Sequence, residues 1–207
     1  MYIPTSFQES ELHFLHETMR ATRLANLVIA TADGPVASPL PLLLDDTEGP
    51  HGVLYGHVSR ANPQWRQAVL GEALAIFMGP DAYVSPSFYP SKQQTGKVVP
   101  TWNYIAVHAY GPIEFFHDAE RLLRLVTRLT DMHEGRRAQP WAVSDAPADY
   151  IASQLKGIVG FRLPISRLEG KRKMSQNRSA EDRAGVAAGL AGSPDAMEKI
   201  VARLIPD

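Results

Sequence analysis

The chain has 207 residues, with 21 Lys and Arg against 22 Asp and Glu, so its formal charge is −1 and a strong overall attraction to nucleic acid or an anionic membrane is excluded. The absence of cysteine excludes disulfides, thiolate metal sites and thiol nucleophiles. No apolar run approaches the ~20 residues of a membrane span, and the N-terminus does not resemble a signal peptide, so we expect a cytoplasmic protein with no membrane partner.

The first part of the chain is predicted to form one helix followed by short strands. Apolar residues at helical spacing indicate a helix over Glu9–Leu24, which a capping box of Ser6 and Glu9 would start. Apolar runs and turn residues then predict five strands, at Asn26–Thr31, Pro35–Leu44, Gly52–Val58, Ala73–Phe77 and Ala82–Ser85. The last two would flank a turn at Gly79-Pro80-Asp81, and Tyr89–Gly96 is predicted to be a loop.

The second part is predicted to contain two strands and four helices. Val99–Phe116 is a strand with a bend at Gly111-Pro112. A helix follows over Ala119–Glu134, with Asp118 as its N-cap and Gly135 at its C-terminal end. The remaining predicted elements are a short helix from about Pro147 to Gly157, a final strand at Ile158–Ile165, and two helices within Ser179–Leu204 that are separated by Gly192-Ser193-Pro194, where the serine is the N-cap and the proline lies in the first turn.

These elements predict an α+β, mainly β fold. Short strands without a regular strand–helix alternation argue against a parallel doubly wound sheet and favour an antiparallel barrel with peripheral helices. Because the length corresponds to one main domain, we expect that domain over residues 1–178 and a C-terminal helical extension over residues 179–207, packed on the same domain.

The common catalytic and nucleotide-binding motifs are not present. Neither a dinucleotide fingerprint, nor a phosphate-binding P-loop, nor a hydrolase nucleophile elbow occurs. His13 and His16 have a spacing that two metal ligands could use, but no third ligand is signalled nearby. We therefore predict no metal site, and the sequence assigns no catalytic residue.

One segment dense in hydrogen-bond donors follows the strand that ends near Val58. It includes His57, Ser59 and Arg60, which can donate to an anion, and arginine can bind phosphate in a bidentate way. The alternative is a strand that leads into a helix, with Asn62 as N-cap and Pro63 at the first position. Both interpretations are compatible, because a helix N-terminus can itself bind an anion.

Two further segments combine aromatic or basic residues with short polar ones. The first comprises Ser85–Lys92 and Val99–Tyr104, in which flat rings beside amide and hydroxyl groups suit a planar heteroaromatic ligand; ordinary core aromatics are the alternative. The second is Leu168–Arg178. From Lys171 to Arg178 it carries four positive charges and no negative one, which indicates a phosphate or nucleic-acid site, or a solvated face.

Several ungapped blocks resemble one known family. They are Met1-Tyr-Ile-Pro-x-x-Phe7, His57-x-x-Arg60-Ala-Asn-Pro-Gln-Trp65, Gly79-Pro-x-Ala-Tyr-Val-Ser-Pro-Ser-Phe-Tyr89, Val99-Pro-Thr-Trp-Asn-Tyr104 and Lys173-Met-Ser-Gln-Asn-Arg178. In this order they resemble the PaiB-type FMN-binding negative transcriptional regulators, over nearly the whole chain. One departure is Phe88, where the family pattern leads us to expect tryptophan.

The resemblance implies a flavin-binding split barrel, a six-stranded antiparallel barrel related to pyridoxamine phosphate oxidases, with FMN at the interface of a homodimer. The residues expected to bind FMN are His57, Ser59, Arg60, Asn62, Tyr89, Lys92, Thr101, Trp102, Asn103, Lys173, Ser175, Gln176, Asn177 and Arg178. Ser59, Arg60 and Lys92 are the phosphate candidates, whereas Tyr89 and Trp102 are the ring neighbours.

The sequence is compatible with three functions. The family implies a repressor, with DNA or another regulatory protein as a further partner, although no helix–turn–helix is evident. The relation to oxidases favours an FMN-dependent oxidoreductase acting on a small substrate. A haem-binding barrel is the third alternative, with His57, His108 or His117 as the axial ligand.

Overall fold

A computed structural model describes residues 1–207. It contains ten strands, which form one six-stranded and one four-stranded antiparallel sheet, and six α-helices. The strands are β1 Gln8–Glu9, β2 Ala25–Thr31, β3 Gly34–Leu40, β4 Leu43–Asp45, β5 Val53–Ser59, β6 Ala73–Val84, β7 Thr101–Gly111, β8 Glu114–Phe116, β9 Ile158–Pro164 and β10 Arg167–Lys173. The helices are α1 Leu12–Ala21, α2 Ser91–Thr95, α3 Ala119–Glu134, α4 Ala148–Leu155, α5 Ala180–Ala191 and α6 Ala196–Leu204.

The chain divides into two compact units. The first contains Met1–Ala21, Met78–His108 and Glu169–Asp207, and the second contains Thr22–Phe77 and Ala109–Leu168. The predicted extension at residues 179–207 therefore lies inside the first unit together with the N-terminal residues. The predicted division at residue 178 stays a prediction.

The first unit packs its strands against the C-terminal helices. Gln8 and Glu9 of β1 pair with Lys171 and Gly170 of β10. The buried cluster of this unit contains Val84, Tyr89, Ile105, Met174, Val186, Leu190 and Val201. Apolar residues of β6, β7, α5 and α6 thus form one close-packed core, and Met174, which directly follows β10, belongs to it.

The second unit combines two hairpin-like strand pairs with helix α3. Strands β2 and β3 pair from Ala25–Leu40 to Thr31–Gly34, and the four-stranded sheet has the order β4-β5-β9-β8. One face of α3 packs on this unit through a cluster formed by Leu43, Phe116, Leu122, Leu125, Leu129 and Leu155. No helix of the protein has the length and apolar character needed to cross a bilayer.

The predicted α+β fold with antiparallel strands is confirmed, whereas closure into a six-stranded barrel stays a prediction. Helix α3 has the expected bounds, and the Asp118 side chain accepts from the Arg121 amide as its N-cap. The long strand is interrupted after Gly111 as expected, since β7 ends there and β8 begins at Glu114.

Two predictions in the first 85 residues are wrong because tertiary pairing overrides the local signal. Helix α1 begins at Leu12, not at Glu9, since Gln8–Glu9 form a strand with β10. No turn interrupts β6 at Gly79-Pro80, which continues from Ala73 to Val84. The pairing of β6 with β2 runs from Leu74 to Ile76. Pro80 lies beyond these pairs, so its missing N–H breaks none of their bonds.

Other boundaries also differ from the predictions. The expected single run Pro35–Leu44 is two strands, β3 and β4, and the expected loop at Tyr89–Gly96 contains α2. β9 is not the final strand, because β10 follows it and includes the start of the basic run. Helix α6 is capped by Asp195, whose side chain accepts from the Met197 amide, and not by Ser193.

Candidate functional site

The predicted site residues belong to different units. Ten lie in the first unit: Tyr89, Lys92, Thr101, Trp102, Asn103, Lys173, Ser175, Gln176, Asn177 and Arg178. Four lie in the second unit: His57, Ser59, Arg60 and Asn62.

Lys173, the last residue of β10, is the centre of the first group. Its ammonium donates to the Thr101 hydroxyl and, at 2.7 Å, to the Trp102 carbonyl of β7. Burial lowers the pKa of Lys173, and the positive charges of Lys171 and Arg178 lower it further. The mutual influence of three cations marks a concentrated positive potential.

No carboxylate neutralises this basic group. Lys171, Lys173 and Arg178 take part in none of the ion pairs of the structure. Lys171 is buried and donates to the Tyr2 carbonyl at 3.1 Å. Cations that are held near one another without a counter-ion favour the binding of an anion.

Aromatic rings lie directly beside these cations. The Arg178 guanidinium carbon lies 4.8 Å from the Tyr89 ring centroid, and the Lys171 ammonium lies 5.1 Å from that of Tyr104. Tyr89 is almost fully buried, yet its hydroxyl has no hydrogen-bond partner. A buried hydroxyl without a partner carries a desolvation penalty, which a ligand atom that reached it would relieve.

The turn after β10 is fixed by its own polar side chains. Ser175 has a φ of 62°, and its hydroxyl exchanges hydrogen bonds of 3.0 and 3.2 Å with the Asn103 side chain. The Gln176 side chain accepts from the Met174 amide at 2.6 Å and donates to the Arg172 carbonyl. These bonds position the turn that presents Asn177 and Arg178, of which Asn177 is exposed.

The exposed edge of this group carries Trp102 and Lys92. Trp102 is 53% exposed, and its ring meets Tyr83 edge-on at 6.0 Å. Lys92 lies in α2 and is exposed. A half-exposed indole next to a basic group offers a flat apolar surface to a planar ligand.

In the second unit, Arg60 is held by the backbone. Its Nε donates to the Lys156 carbonyl at 2.6 Å and its Nη2 to the Ile158 carbonyl at 3.2 Å, and Nη1 has no protein partner among these bonds. The expected N-cap is confirmed, since the Asn62 side chain accepts from the Gln64 amide, but the helix is a single 3₁₀ turn over Pro63–Arg66. Ser59 is exposed and its hydroxyl accepts from the Ala61 amide.

His57 occupies a mostly buried position on β5. Its Nδ1 atom has no hydrogen-bond partner, and burial lowers the pKa of its imidazole. The predictions that His57, Ser59, Arg60 and Asn62 contact a ligand stay predictions.

Sequence reasoning missed how Phe88 and α5 support the site. A Cβ on Gly189 would lie 2.3 Å from the Phe88 ring, and one on Gly185 would lie 2.2 Å from the Phe88 carbonyl. The two glycines are four residues apart, so they share one helix face, and this spacing was the available signal. Their lack of side chains lets α5 pack closely on the segment that carries Tyr89.

Comparison with known proteins identifies the family. A family model described as "Putative FMN-binding domain" matches residues 1–167. The chain is also 31% identical over 208 residues to the Protease synthase and sporulation protein PAI 2 of Bacillus subtilis (strain 168), which covers 100% of this chain and 97% of that protein. The chain belongs to the PaiB family. The resemblance predicted from the ordered blocks is thereby confirmed.

Other relatives of this PaiB-family chain extend the comparison. It is 33% identical over 241 residues to an uncharacterized protein of Emericella nidulans, covering 99% of this chain and 96% of that one. The FAD and Heme binding protein from Mycobacterium smegmatis has 19% identity, a TM-score of 0.58, and coverage of 88% of this chain and 80% of that one. This structural likeness shows a shared fold.

Proposed function

We propose that this PaiB-family protein binds FMN, and that the Lys171–Arg178 segment together with Tyr89 and Trp102 forms the main part of the site in the first unit. The observation that carries the proposal is a group of three cations without a carboxylate partner, directly beside aromatic rings. When bound, FMN would supply redox chemistry through its ring system.

The charges of this group suit a terminal phosphate. Lys173 is partly buried, and its ammonium is already oriented by Thr101 and Trp102. Burial is the main cause that lowers the pKa of Lys173, and repulsion from Lys171 and Arg178 adds to it; a phosphate dianion beside Lys173 and Arg178 would offset both effects. Such charge-assisted contacts are short and strong compared with those between neutral groups.

The aromatic residues suit the flat part of the ligand. Trp102 presents half of its surface to solvent, and the Tyr89 hydroxyl has no partner within the protein. A flavin ring offers both an apolar face to stack and polar atoms at its edge.

The proposal is tested by titrating FMN into Lys173→Met and Arg178→Ala. Losing one charge-assisted contact is expected to weaken FMN binding about 10- to 150-fold. Neither cation has an ion pair to lose, so the apo stability of Arg178→Ala should stay near that of wild type. Lys173→Met also loses its bonds to Thr101 and Trp102, so its apo stability should fall by about 1–3 kcal/mol. Arg137→Ala, which breaks only a surface pair with Glu134, is the control. Wild-type FMN affinity in both site variants would refute the assignment.

The proposal includes a homodimer. Support comes from exposed apolar side chains in the first unit, at Met78, Tyr83, Val99 and Trp102, since a second copy covering them would remove apolar surface from water. Sedimentation equilibrium at micromolar concentration tests this, with a mass near twice 22.8 kDa expected and a monomer contradicting it.

A repressor role is the further part of the proposal, supported by family membership and by the sporulation role in the name of the Bacillus relative. We expect the FMN-loaded protein to bind a promoter fragment in a salt-sensitive manner and to bind random DNA far more weakly. Equal binding to both fragments would contradict it. Bleaching of the bound flavin by NAD(P)H would instead support the oxidoreductase.

A further inference from the structure

The second unit contains a large cavity that the FMN proposal does not use. It is partly open to solvent, since Ala119, Ala148 and Ala152 of its lining are exposed, and its volume of about 850 Å³ lies within the range of sites for small organic ligands. Helices α3 and α4 and the segment 142–146 form its walls. The wall positions on α4 are Ala148, Ile151, Ala152 and Leu155, which recur at the spacing of one helix face.

The cavity stays open because its walls carry small side chains. Five alanines line it: Ala119, Ala142, Ala146, Ala148 and Ala152. The deeper walls are Leu122 and Leu155, both buried, and Val143. The displacement of water from such an apolar surface by an apolar ligand is favourable and stabilises the complex.

Two cations border this apolar space. Arg60 is fixed by its bonds to the Lys156 and Ile158 carbonyls, and Lys156 adds its own ammonium. Neither residue forms an ion pair. The one lining carboxylate, Glu120, lies 3.7 Å from the Arg124 guanidinium, so the net charge around the cavity is positive.

We propose that this cavity is a second ligand site, which binds a small amphiphile with an aliphatic body and one anionic head. The aliphatic body lies between α3 and α4, and the head contacts Arg60 and Lys156. Charge complementarity selects the anion, since Arg60 retains a donor group, Nη1, that its two backbone bonds leave free.

The test uses decanoate and decyl phosphate below their micellar concentrations, with decylamine as the cation of equal chain length. Isothermal titration calorimetry is expected to show saturable binding at one site per chain for at least one of the two anions, and no binding of decylamine. The tighter of the two anions identifies the head group. Equal binding of decylamine, or no saturable binding of either anion, would overturn the proposal.

Variants locate the site. Ala152→Phe is expected to abolish binding by filling the cavity. Ser153→Phe should retain it, because Ser153 is exposed on α4 like Ala152 but does not line the cavity. Lys156→Gln should weaken the anion at least about 5-fold, and Lys199→Gln on α6 should not. Unchanged binding in Ala152→Phe would refute the location.

A parallel FMN titration separates this site from the flavin site. FMN affinity in Ala152→Phe should equal that of wild type, and saturating FMN should leave anion binding intact. Competition between FMN and the bound anion would overturn the proposal of a second site and assign the cavity to FMN. FMN binding to Lys173→Met tests the flavin proposal separately, because Lys173 does not line the cavity.

Discussion

Substitution of the buried Tyr89 is predicted to raise the free energy of unfolding, whereas a core substitution usually lowers it. The side chain is 2% exposed, its ring packs in the buried cluster of the first unit, and its hydroxyl has no hydrogen-bond partner. Tyr89→Phe keeps the ring and removes only the hydroxyl. We therefore expect the apo protein to become more stable.

The magnitude follows from the cost of the unpartnered hydroxyl. A buried polar group without a partner costs about 1–3 kcal/mol, so Tyr89→Phe should raise the free energy of unfolding by up to that amount. For a chain of this length each kcal/mol moves the melting temperature by about 2–4 °C. The same substitution should weaken FMN binding about 2- to 12-fold, the worth of one ordinary hydrogen bond to the ligand.

Thermal unfolding followed by circular dichroism, with and without saturating FMN, measures both effects. Tyr150→Phe is the matched control, since Tyr150 is 55% exposed on α4 and its hydroxyl is hydrated in the folded and unfolded chain alike. A melting temperature of apo Tyr89→Phe below that of wild type would refute the reasoning, because it would mean that the hydroxyl is satisfied within the protein.

Three further predictions concern the second unit. Burial lowers the pKa of His57 below its ordinary 6.5, so on acidification the unfolded chain binds this proton before the folded one does. The free energy of unfolding should therefore fall as the pH drops below about 6.5. In urea denaturation, His57→Gln should reduce that fall. Gly111→Ala should cost at least about 2 kcal/mol, because its Cβ would lie 1.9 Å from the Pro164 carbonyl oxygen, whereas Gly192→Ala, with no atom closer than 3.6 Å, should be tolerated. Gln64→Met removes bonds to the Leu27 and Val36 carbonyls, and the loss of Oε1, which has no partner, offsets part of that cost. The free energy of unfolding should therefore fall by up to about 2 kcal/mol, and the exposed control Gln67→Met should leave the denaturation midpoint unchanged.

The elements predicted well from sequence are those governed by local chemistry. Asp118 and Gly135 flank the apolar stripe of α3 and cap its two ends, and each hydrogen-bonds only within the adjacent turn of the helix. The interruption of the long strand after Gly111 likewise has a local proline as its cue. Local sequence signals gave wrong predictions where pairing with distant residues overrides them. Glu9 lies in a strand that pairs with a residue more than 160 positions away, and Gly79-Pro80 lies within a continuous strand and not in a turn.

The sequence by itself determined the family, because five ungapped blocks in one order carry far more information than any single motif, and it determined which segments are basic or aromatic. Only the tertiary structure decided which of these side chains meet. Lys173 contacts Thr101 and Trp102 across about 70 residues of chain, and Arg178 stacks over Tyr89, whereas Arg60 turns to backbone carbonyls. Composition and spacing show which chemical groups a chain carries. Strand pairing and burial bring together residues that are far apart in sequence, so they decide which charges stay unpaired and that the Tyr89 hydroxyl is buried without a hydrogen-bond partner.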